Sequence, residues 1–373
     1  MDALTTPLNW QRVRLGDIGK PCMCKRVMKH QTTPYGEIPF YKIGTFGNTA
    51  DAFISKKLFL ECKAKYSFPK KGDILISASG TIGRAVIYDG KPAYFQDSNI
   101  VWIDNDETLV KNDFLFYAYS NIKWNTEHTT ILRLYNDNFR NTLIPLPPLN
   151  EQIAIANILS GLDRYLYSLD ALILKKESVK KALSFELLSQ RKRLKGFNQA
   201  WQRVRLGDIA NYLTSNLSAE QITQQGKIKV YDVNNFIGYT DTTFISDKPY
   251  ISIVKDGSVG RVRILPPKTN ILSTMGALVA NHKTTTEFLF YLLSNFDFKN
   301  FTSGSIIPHI YFKDYKEKTI FLPSLDEQAA IANILSALDS EIISLKNKKR
   351  QFENIKKALN HDLMSAKIRV LNK

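Results

Sequence analysis

Two glycine-rich turns that end in arginine are the segments of this sequence best suited to bind a ligand. They are GTIGR at residues 80–84 and GSVGR at residues 257–261. The glycines let backbone amides approach an anion closely, and neighbouring serine and threonine hydroxyls add short donors. Arg84 or Arg261 then adds a fork of donors that fits a phosphate or a guanine edge. The alternative interpretation is a tight structural turn whose arginine caps a neighbouring carbonyl.

A second set of polar and aromatic side chains lies at matching places in the two halves of the chain. Arg133 and Tyr135 align with His309 and Tyr311. Basic and aromatic side chains that alternate in an irregular segment can reach the edges of bases. The tyrosines could equally be core residues. The asparagine pair at residues 234–235 offers amides of the kind that read adenine, although such asparagines often form turns.

Catalytic chemistry finds less support in the sequence. Asp51, Glu61 and Lys63 could be assembled into a metal-dependent nuclease of the Glu-x-Lys type, but this set has no counterpart in the second half. Methylation of a base amino group would need Asn or Asp before two prolines and an aromatic residue, plus a glycine-rich cofactor loop. The Pro-Pro segments at residues 146–149 and 265–268 have other neighbours. We therefore expect a non-catalytic protein without a cofactor of its own.

The cysteines also argue against a metal or disulfide framework. Cys22, Cys24 and Cys62 make an odd count and lie in one half of the chain. Reduced thiols fit this distribution better than disulfides, and a zinc site would need further ligands at workable spacing. We expect no metal site.

The charge balance indicates a polyanionic partner. The 373 residues carry 51 Lys and Arg against 35 Asp and Glu, a net charge of +16. Nucleic acid is the commonest partner of so basic a protein, while composition alone leaves membrane surfaces and ribosomes open. Without an apolar run of the roughly 18 residues that span a bilayer, or the parts of a signal peptide, we expect a soluble cytoplasmic protein.

The chain is a tandem duplication. WQRVRLGDI occurs at residues 10–18 and again at 201–209, and LPPLNEQIAIANILSGLD at 146–163 matches LPSLDEQAAIANILSALD at 322–339. The offset is 191 at the opening motif (10 to 201) and 177 at the glycine turn (80 to 257), so the first copy carries a 14-residue insertion between them.

Each copy begins with a mixed α+β region. Residues 73–77, 100–103 and 228–231 are short β-rich runs between Gly, Pro and Asn, and are predicted strands. Residues 114–119 and 287–293 are predicted short helices. The pattern predicts an α+β globular domain in each copy.

A long helix follows each globular region. Asn150 and Asp326 are predicted N-caps, and neither proline nor glycine occurs between Leu162 and Lys195 or after Asp326. Apolar residues at alternating spacings of four and three predict a coiled coil, whereas the alternative is two amphipathic helices that pack separately. The seam is Ile155, Leu159, Leu162, Leu166, Leu169, Ile173, Leu183 and Leu187, then Ile331, Leu335, Leu338, Ile342, Leu345, Phe352, Leu359 and Leu363, interrupted by Lys176, Lys180, Lys349 and Lys356.

These elements predict an α+β fold with two similar globular domains, at residues 1–148 and 196–324. Two long helices, at 149–195 and 325–373, should form an antiparallel coiled coil about 65 to 70 Å long at 1.5 Å per residue, with an internal pseudo-twofold axis. Two basic modules held apart by a spacer suit DNA half-sites on a long duplex. Because the modules differ in detail, we expect an asymmetric, bipartite DNA sequence.

The chain resembles the DNA specificity subunit of Type I restriction-modification enzymes. The resemblance rests on the repeated WQRVRLGDI, on GDILISASGTIGRAVIYDGKPAYFQDSNIVWI at residues 72–103, and on both LPxLxEQxxIANILSxLD junctions. It covers nearly the full length and implies two target recognition domains and two spacer helices. It also implies two modification (methyltransferase) subunits and restriction (endonuclease and translocase) subunits as partners, which carry S-adenosylmethionine, ATP, Mg and the catalytic residues. The second copy departs from the pattern, since it lacks the Gly-Asp-Ile-Leu entry and the YFQDSN stretch.

The competing interpretation is a coiled-coil scaffold that binds DNA without sequence preference. The outer faces of the helices would be docking surfaces in either case, so the difference lies in whether the globular domains read bases. The residues predicted to contact DNA are Lys70, Lys71, Ser79, Thr81, Arg84, Arg133, Tyr135, Asn234, Asn235, Lys255, Ser258, Arg261, Arg263, His309 and Tyr311.

Overall fold

The structure is a computed structural model that describes residues 9–128 and 132–370. The chain divides into two compact units. Unit 1 contains the described residues up to Leu169 together with those from Lys348 onward, and unit 2 contains residues 170–347. Each unit is described separately below.

The strands of unit 1 are β1 (Gln11–Arg14), β2 (Gly19–Cys22), β3 (Ile38–Tyr41), β4 (Phe53–Ile54), β5 (Ile74–Ser77), β6 (Ala85–Ile87), β7 (Tyr94–Phe95), β8 (Ile100–Asn105), β9 (Glu127–His128), β10 (Leu132–Arg133) and β11 (Leu143–Leu146). Its helices are α1 (Leu15–Ile18), α2 (Lys56–Lys65), α3 (Asn112–Tyr119), α4 (Asn136–Asn141) and the first half of α5 (Leu149–Leu188), together with residues 348–364 of the second long helix. The predicted strands and short helix of this copy are confirmed.

Small sheets form the body of unit 1. A four-stranded antiparallel sheet has the order β2-β8-β5-β6, and a three-stranded sheet has the order β4-β3-β7 with β3 and β7 parallel. β1 pairs with β11, so the strand that contains the opening motif lies against the segment just before the long helix. β9 pairs with β10.

The strands of unit 2 are β12 (Gln202–Arg205), β13 (Ala210–Thr214), β14 (Ile228–Tyr231), β15 (Phe236–Thr240), β16 (Tyr250–Val254), β17 (Val262–Leu265), β18 (Asn270–Ile271), β19 (Met275–Ala280), β20 (Thr302–Ser303), β21 (His309–Ile310) and β22 (Thr319–Leu322). Its helices are α6 (Thr286–Ser294), α7 (Phe312–Tyr315) and the first part of α8 (Leu325–Met364), together with residues 170–188 of α5. The sheet orders β13-β19-β16-β17 and β15-β14-β18, with β12-β22 and β20-β21, repeat those of unit 1. The duplication is therefore structural as well as sequential.

The insertion in the first copy includes a helix. α2 follows β4 in unit 1, whereas the described chain of unit 2 passes from β15 to β16 without a helix. Phe59 and Cys62 of α2 are buried beside the three-stranded sheet. The extra segment therefore adds apolar surface to the core of unit 1, and the α+β class is confirmed for both units.

The two long helices pair in opposite directions within each unit. In unit 1, Asp163 and Tyr165 of α5 contact Lys356 and Phe352 of α8. In unit 2, Lys176 and Lys180 of α5 pair with Glu341 and Asp339 of α8. In both units the residue number falls along α8 as it rises along α5. All the predicted seam positions are buried or half-buried. The antiparallel pairing is confirmed within each unit, and the helices also join the unit's core.

Lysines at two apolar seam positions are paired with aspartates. Lys356 Nζ lies 2.5 Å from Asp163 Oδ1 and above the ring of Tyr117, whose hydroxyl donates to Asp163 Oδ2 at 2.7 Å. Burial and this hydrogen bond raise the pKa of Tyr117, which keeps its hydroxyl protonated as a donor. The equivalent set in unit 2 is Lys180, Asp339 and Tyr291. Lys356 and Lys180 are half-buried, and each therefore has a charged partner on the facing helix.

The repeated opening motif forms a joint around a buried glutamate. In unit 2, Trp201 Nε1 donates to Glu327 Oε2 at 3.0 Å, and Arg193 binds both carboxylate oxygens at 3.1 and 2.6 Å. In unit 1, Trp10 and Arg369 bind Glu151 in the same way. Both glutamates are buried. A buried carboxylate needs such paired donors, which explains why the motif occurs at both joints.

The neighbouring glutamines anchor the starts of the long helices. Gln152 donates to the Leu109 and Pro147 carbonyls and accepts from the Lys111 amide. Gln328 makes the corresponding bonds in unit 2. The Glu-Gln pair of each junction motif is therefore structural.

The ends of the helices differ from the prediction. The helices begin at Leu149 and Leu325, so the predicted N-caps Asn150 and Asp326 lie inside the first turn. α5 ends at Leu188 rather than near Lys195, and α8 ends at Met364 rather than near Arg369. Both helices end early because Gln190 and Ala366 adopt left-handed backbone (φ +63° and +56°), which terminates a helix. This turn directs Arg193 and Arg369 toward the buried glutamates.

No helix among the described residues is both long enough and apolar enough to cross a membrane.

Glu327→Ala should destabilise unit 2. Removing the carboxylate leaves the donors of Trp201 and Arg193 without their acceptor, so we expect a loss of roughly 2–4 kcal/mol. Urea denaturation together with hydrogen exchange of the unit 2 strands would measure it. Glu341→Ala, in an exposed ion pair of the same helix, is the matched control and should cost at most about 0.5 kcal/mol. Equal losses for the two variants would contradict the structural role of the joint.

Candidate nucleic-acid interface

The first glycine turn follows β5 and is closed by its own backbone. Gly80 and Gly83 have φ of +65° and +82°. The Gly83 amide donates to the Ser77 carbonyl at 2.9 Å, and the Ser77 hydroxyl donates to the Thr81 carbonyl. The turn therefore has one rigid shape that a side chain at either glycine would strain.

The two glycines of each turn have different surroundings. A Cβ at Gly83 would lie 2.1 Å from Trp124 Nε1, and a Cβ at Gly260 would lie 2.6 Å from Phe298 Cδ2. At Gly80 the nearest such atom is 3.5 Å away, and at Gly257 there is none within 4 Å. The second glycine is required by packing. A Cβ would meet open space at Gly257 and only an ordinary van der Waals contact with Ile43 at Gly80, so a ligand could approach the first glycine. Thr81 and Ser258 follow this open glycine.

The arginine of the first turn caps a neighbouring carbonyl, which is the structural interpretation of this turn. Arg84 Nη1 donates to the Phe46 carbonyl at 3.0 Å, so the guanidinium braces the loop after β3. This contact uses one of its five donors and leaves others for a ligand.

Arg261 and Arg263, the two arginines of unit 2 predicted to contact DNA, hold the equivalent loop in place. Arg261 Nη2 donates to Asn234 Oδ1 at 2.8 Å, and Arg263 Nη1 donates to the Asn234 carbonyl at 2.9 Å. The Asn234 and Asn235 amides both donate to Asp232 Oδ1. The asparagines therefore form the turn between β14 and β15, which is the structural alternative, and Asn234 also joins the arginine cluster.

Arg133 lies beside the first turn. The backbone of Arg133 forms an isolated bridge with Ser79, and Arg133 Nη2 donates to Asn99 Oδ1 at 3.1 Å. The same oxygen accepts from the Ser79 hydroxyl at 2.8 Å. The structure thus brings Ser79 and Arg133, distant in sequence, together around Asn99.

His309 occupies the corresponding place in unit 2. Its backbone bridges Asp256, and its Nδ1 lies 2.7 Å from Asp256 Oδ1. Its ring stacks on Tyr311 with centroids 6.5 Å apart. Tyr311 is 49% exposed and Tyr135 is 37% exposed, so neither is a core residue.

The predicted lysines do not share one position. Lys70 and Lys71 precede β5, at the opposite end of the strand from the glycine turn, and Lys70 pairs with Asp104 at 3.0 Å. Lys255 lies next to the second turn, where its carbonyl accepts from the Ile310 amide just as the Ala78 carbonyl accepts from Leu134. Lys255 is therefore the counterpart of Ala78. Of the three predicted lysines, only Lys255 lies beside a glycine turn.

A cleft beside Arg133 contains polar residues that the sequence did not single out. It has a volume of about 500 Å³ and is lined in part by Arg26, Lys29, Lys42, Gln96 and Asn99. Gln96 and Asn99 belong to the YFQDSN stretch at residues 94–99, which could have identified them. The basic residues come from loops that only the fold brings together. In unit 2 a cleft of about 500 Å³ adjoins the turn and includes Arg261 and Lys299.

The alternative nuclease residues are not assembled into a site. Asp51 pairs with Lys42, and Lys63 of α2 lies over the rings of Phe59 and Phe68. Within residues 9–128 and 132–370, no three His, Cys, Asp or Glu side chains cluster as a metal ion would require.

Burial makes the Cys22 and Cys24 thiols less reactive. Burial raises the pKa of Cys24 to about 12 and also raises the pKa of Cys22. A thiol with a raised pKa is a poor nucleophile at neutral pH.

The two glycines of each turn should respond differently to alanine. Gly83→Ala would displace Trp124, which we expect to cost about 2 kcal/mol or more because core overpacking is added to backbone strain. Gly80→Ala carries only the left-handed backbone cost of about 1 kcal/mol. Urea denaturation would test the order, and Gly260→Ala against Gly257→Ala should reproduce it. Equal losses at all four positions would disprove the assignment.

Comparison with known proteins agrees with this architecture. The model of the "Type I restriction modification DNA specificity domain" family matches residues 7–176 and again residues 198–354. The MjaVIII specificity subunit of a type I restriction enzyme from Methanocaldococcus jannaschii is 26% identical over 100% of this chain and 96% of its own length. A type I restriction enzyme specificity subunit from Haemophilus influenzae is 63% identical over 148 residues. This matched region covers 39% of this chain and 38% of that relative.

A solved structure shows the same fold. The S subunit of a type I restriction-modification system from M. genitalium has a TM-score of 0.64 and 20% sequence identity, with 97% of this chain and 98% of that chain covered. With two copies of the family's domain over most of its length, this chain belongs to the type I restriction-modification DNA specificity family.

Proposed function

We propose that the chain is the sequence-specific DNA-binding subunit of a type I restriction-modification complex and reads an asymmetric, bipartite DNA sequence. It is itself non-catalytic, and it directs adenine methylation and restriction by its partner subunits. Recognition domains at residues 1–148 and 196–324 each read one half of the sequence. The helical segments at 149–195 and 325–373 serve as the spacer.

One observation carries this proposal: the units share their scaffold and differ where a ligand can approach. The Trp-Arg-Glu joint and the Lys-Asp-Tyr set are the same in both units. At the glycine turns, by contrast, Ser79, Asn99 and Arg133 of unit 1 are replaced in unit 2 by Asp256, Thr274 and His309. Two unlike half-sites require different side chains on the same backbone scaffold, because bases are distinguished by the pattern of donors and acceptors on their edges.

The charge distribution supports a DNA ligand. A net charge of +16 favours binding to the phosphate backbone. Arg26, Lys29, Lys42 and Arg133 line the cleft of unit 1. The exposed Lys70 and Lys71 and the half-buried Lys255 are proposed phosphate contacts that affect affinity and salt dependence rather than sequence choice.

Partner subunits complete the proposed activity. Two modification subunits and the restriction subunits would supply S-adenosylmethionine, ATP, Mg and the catalytic groups. A solved structure that is 15% identical, with a TM-score of 0.56, describes complex assembly of the type I R-M system. The long helices expose apolar side chains, among them Tyr167 and Leu174, which are proposed contacts for such partners.

Methylation mapping tests the proposal directly. The chain is co-expressed with the modification subunit of its own system in a host that lacks DNA methylation, and modified adenines are mapped across the genome. We expect a split motif whose two unlike halves are separated by a constant number of unread base pairs. Methylation without a motif would refute sequence-specific recognition and favour the scaffold alternative.

Domain exchange tests the division of labour. Replacing residues 10–148 with the matching region of another family member should change one half of the motif and leave the other unchanged. The reciprocal exchange of residues 201–324 is the matched control and should change the other half. A change in both halves after either exchange would contradict the modular assignment.

A further inference from the structure

We propose that Arg133 and His309 are equivalent base-reading residues of the two half-sites, each positioned by a polar side chain that differs between the units. Arg133, held by Asn99, reads a guanine, whereas His309, held by Asp256, makes a single-point contact with a different base. The inference rests on the proposed function, because it names the residues that make the two half-sites unlike.

Backbone hydrogen bonds establish that the two positions are equivalent. The amide of Leu134 donates to the Ala78 carbonyl, and the amide of Ile310 donates to the Lys255 carbonyl, at 2.9 Å in both units. The residue before each donor is Arg133 or His309, and it forms the bridge to Ser79 or Asp256. The same backbone frame therefore presents two different side chains.

The anchoring groups come from different elements. The Ala78 amide donates to the Asn99 carbonyl, and the Lys255 amide donates to the Thr274 carbonyl, so Asn99 corresponds to Thr274. In unit 1 the anchor is Asn99, just before β8, and Ser98 beside it has left-handed backbone (φ +54°). In unit 2 the anchor is Asp256, just before the glycine turn. Arg133 is therefore held by an amide oxygen and His309 by a carboxylate.

The geometry of Arg133 suits a guanine. Nη2 donates to Asn99 Oδ1, and this oxygen is also bound by the Ser79 hydroxyl, so the acceptor cannot rotate freely. The guanidinium retains further N–H donors. Arg133 is half-buried at the edge of the 500 Å³ cleft. A tethered fork of donors matches guanine O6 and N7, the commonest specific contact of arginine with DNA.

The geometry of His309 suits a single contact. Nδ1 is occupied by Asp256 at 2.7 Å, and the ring is stacked on the exposed Tyr311. Nε2 is then the one ring nitrogen that remains for a base. In the neutral tautomer whose Nδ1–H donates to Asp256 Oδ1, Nε2 is an acceptor and fits the amino group of adenine or cytosine in the major groove. A contact of one bond discriminates less than a bidentate one.

Transplanting the unit 2 pair into unit 1 is the decisive experiment. The double variant Ser79→Asp, Arg133→His places the Asp256 and His309 side chains on the equivalent frame. In the methylation assay we expect one guanine position in the unit 1 half-site to lose its preference, with discrimination falling about 10- to 100-fold. The new preference at that position should be adenine or cytosine, and the unit 2 half-site should remain unchanged.

Single variants separate reading from positioning. Arg133→Ala should relax the same guanine position without creating a new preference. Asn99→Ala should relax it partly, because the arginine remains but loses its anchor. Ser79→Ala leaves the Arg133 bond to Asn99 intact and should have the smallest effect. Loss of one base preference is a readout that general destabilisation would not produce.

The controls distinguish failure of the inference from failure of the proposed function. Lys91→Ala removes an exposed charge paired with Asp89 and should leave the motif unchanged. If the wild-type chain produces no motif, the proposed function is wrong. If the wild type produces a split motif and Arg133→Ala leaves every base preference intact, the function stands and the assignment of Arg133 is overturned. A relaxed position in the other half-site would overturn it as well.

Discussion

The structure depends on a buried carboxylate in each unit that is bound by the other copy of the repeat. Glu151 belongs to the first copy and is held by Arg369 of the second, while Glu327 of the second copy is held by Arg193 of the first. A buried carboxylate without a positive partner would be strongly destabilising. Each copy supplies a tryptophan donor to its own glutamate but no positive partner, so the two halves of the chain depend on each other.

The same reciprocity continues along the long helices. Asp163 is paired with Lys356, and Asp339 with Lys180, so that each aspartate meets a lysine from the other copy. These lysines interrupt an otherwise apolar seam. A polar pair inside a seam is satisfied in one register only, and such pairs are known to specify helix alignment. The charges therefore select the antiparallel pairing, while the apolar residues supply the packing.

Divergence is concentrated where this scaffold no longer constrains the side chains. Gly83 and Gly260 are required because Trp124 and Phe298 pack against them, but the neighbouring turn residues differ between the units. Arg84 and Arg261 both brace a loop, through different acceptors. The glycine-arginine turn is thus a support for the candidate interface, and the variable residues around it carry the chemistry proposed for base recognition.

The sequence by itself determined the duplication, the α+β class and the long helices, because repeated motifs, β-rich runs and heptad spacing are read from the chain alone. The antiparallel pairing followed from the order of domains and helices, since the two ends of a compact domain lie close together. The sequence also aligned Arg133 with His309, and the equivalent backbone contacts of the two residues agree with that alignment. Only the tertiary structure decided that Lys70 pairs with Asp104 away from the turn, and that the asparagines at 234 and 235 form a turn. The capping turns that end the helices at Leu188 and Met364, and the anchors Asn99 and Asp256, also emerged only there. The reason is physical: hydrogen-bond partners far apart in sequence meet only when strands and loops are packed, and periodicity holds no information about them.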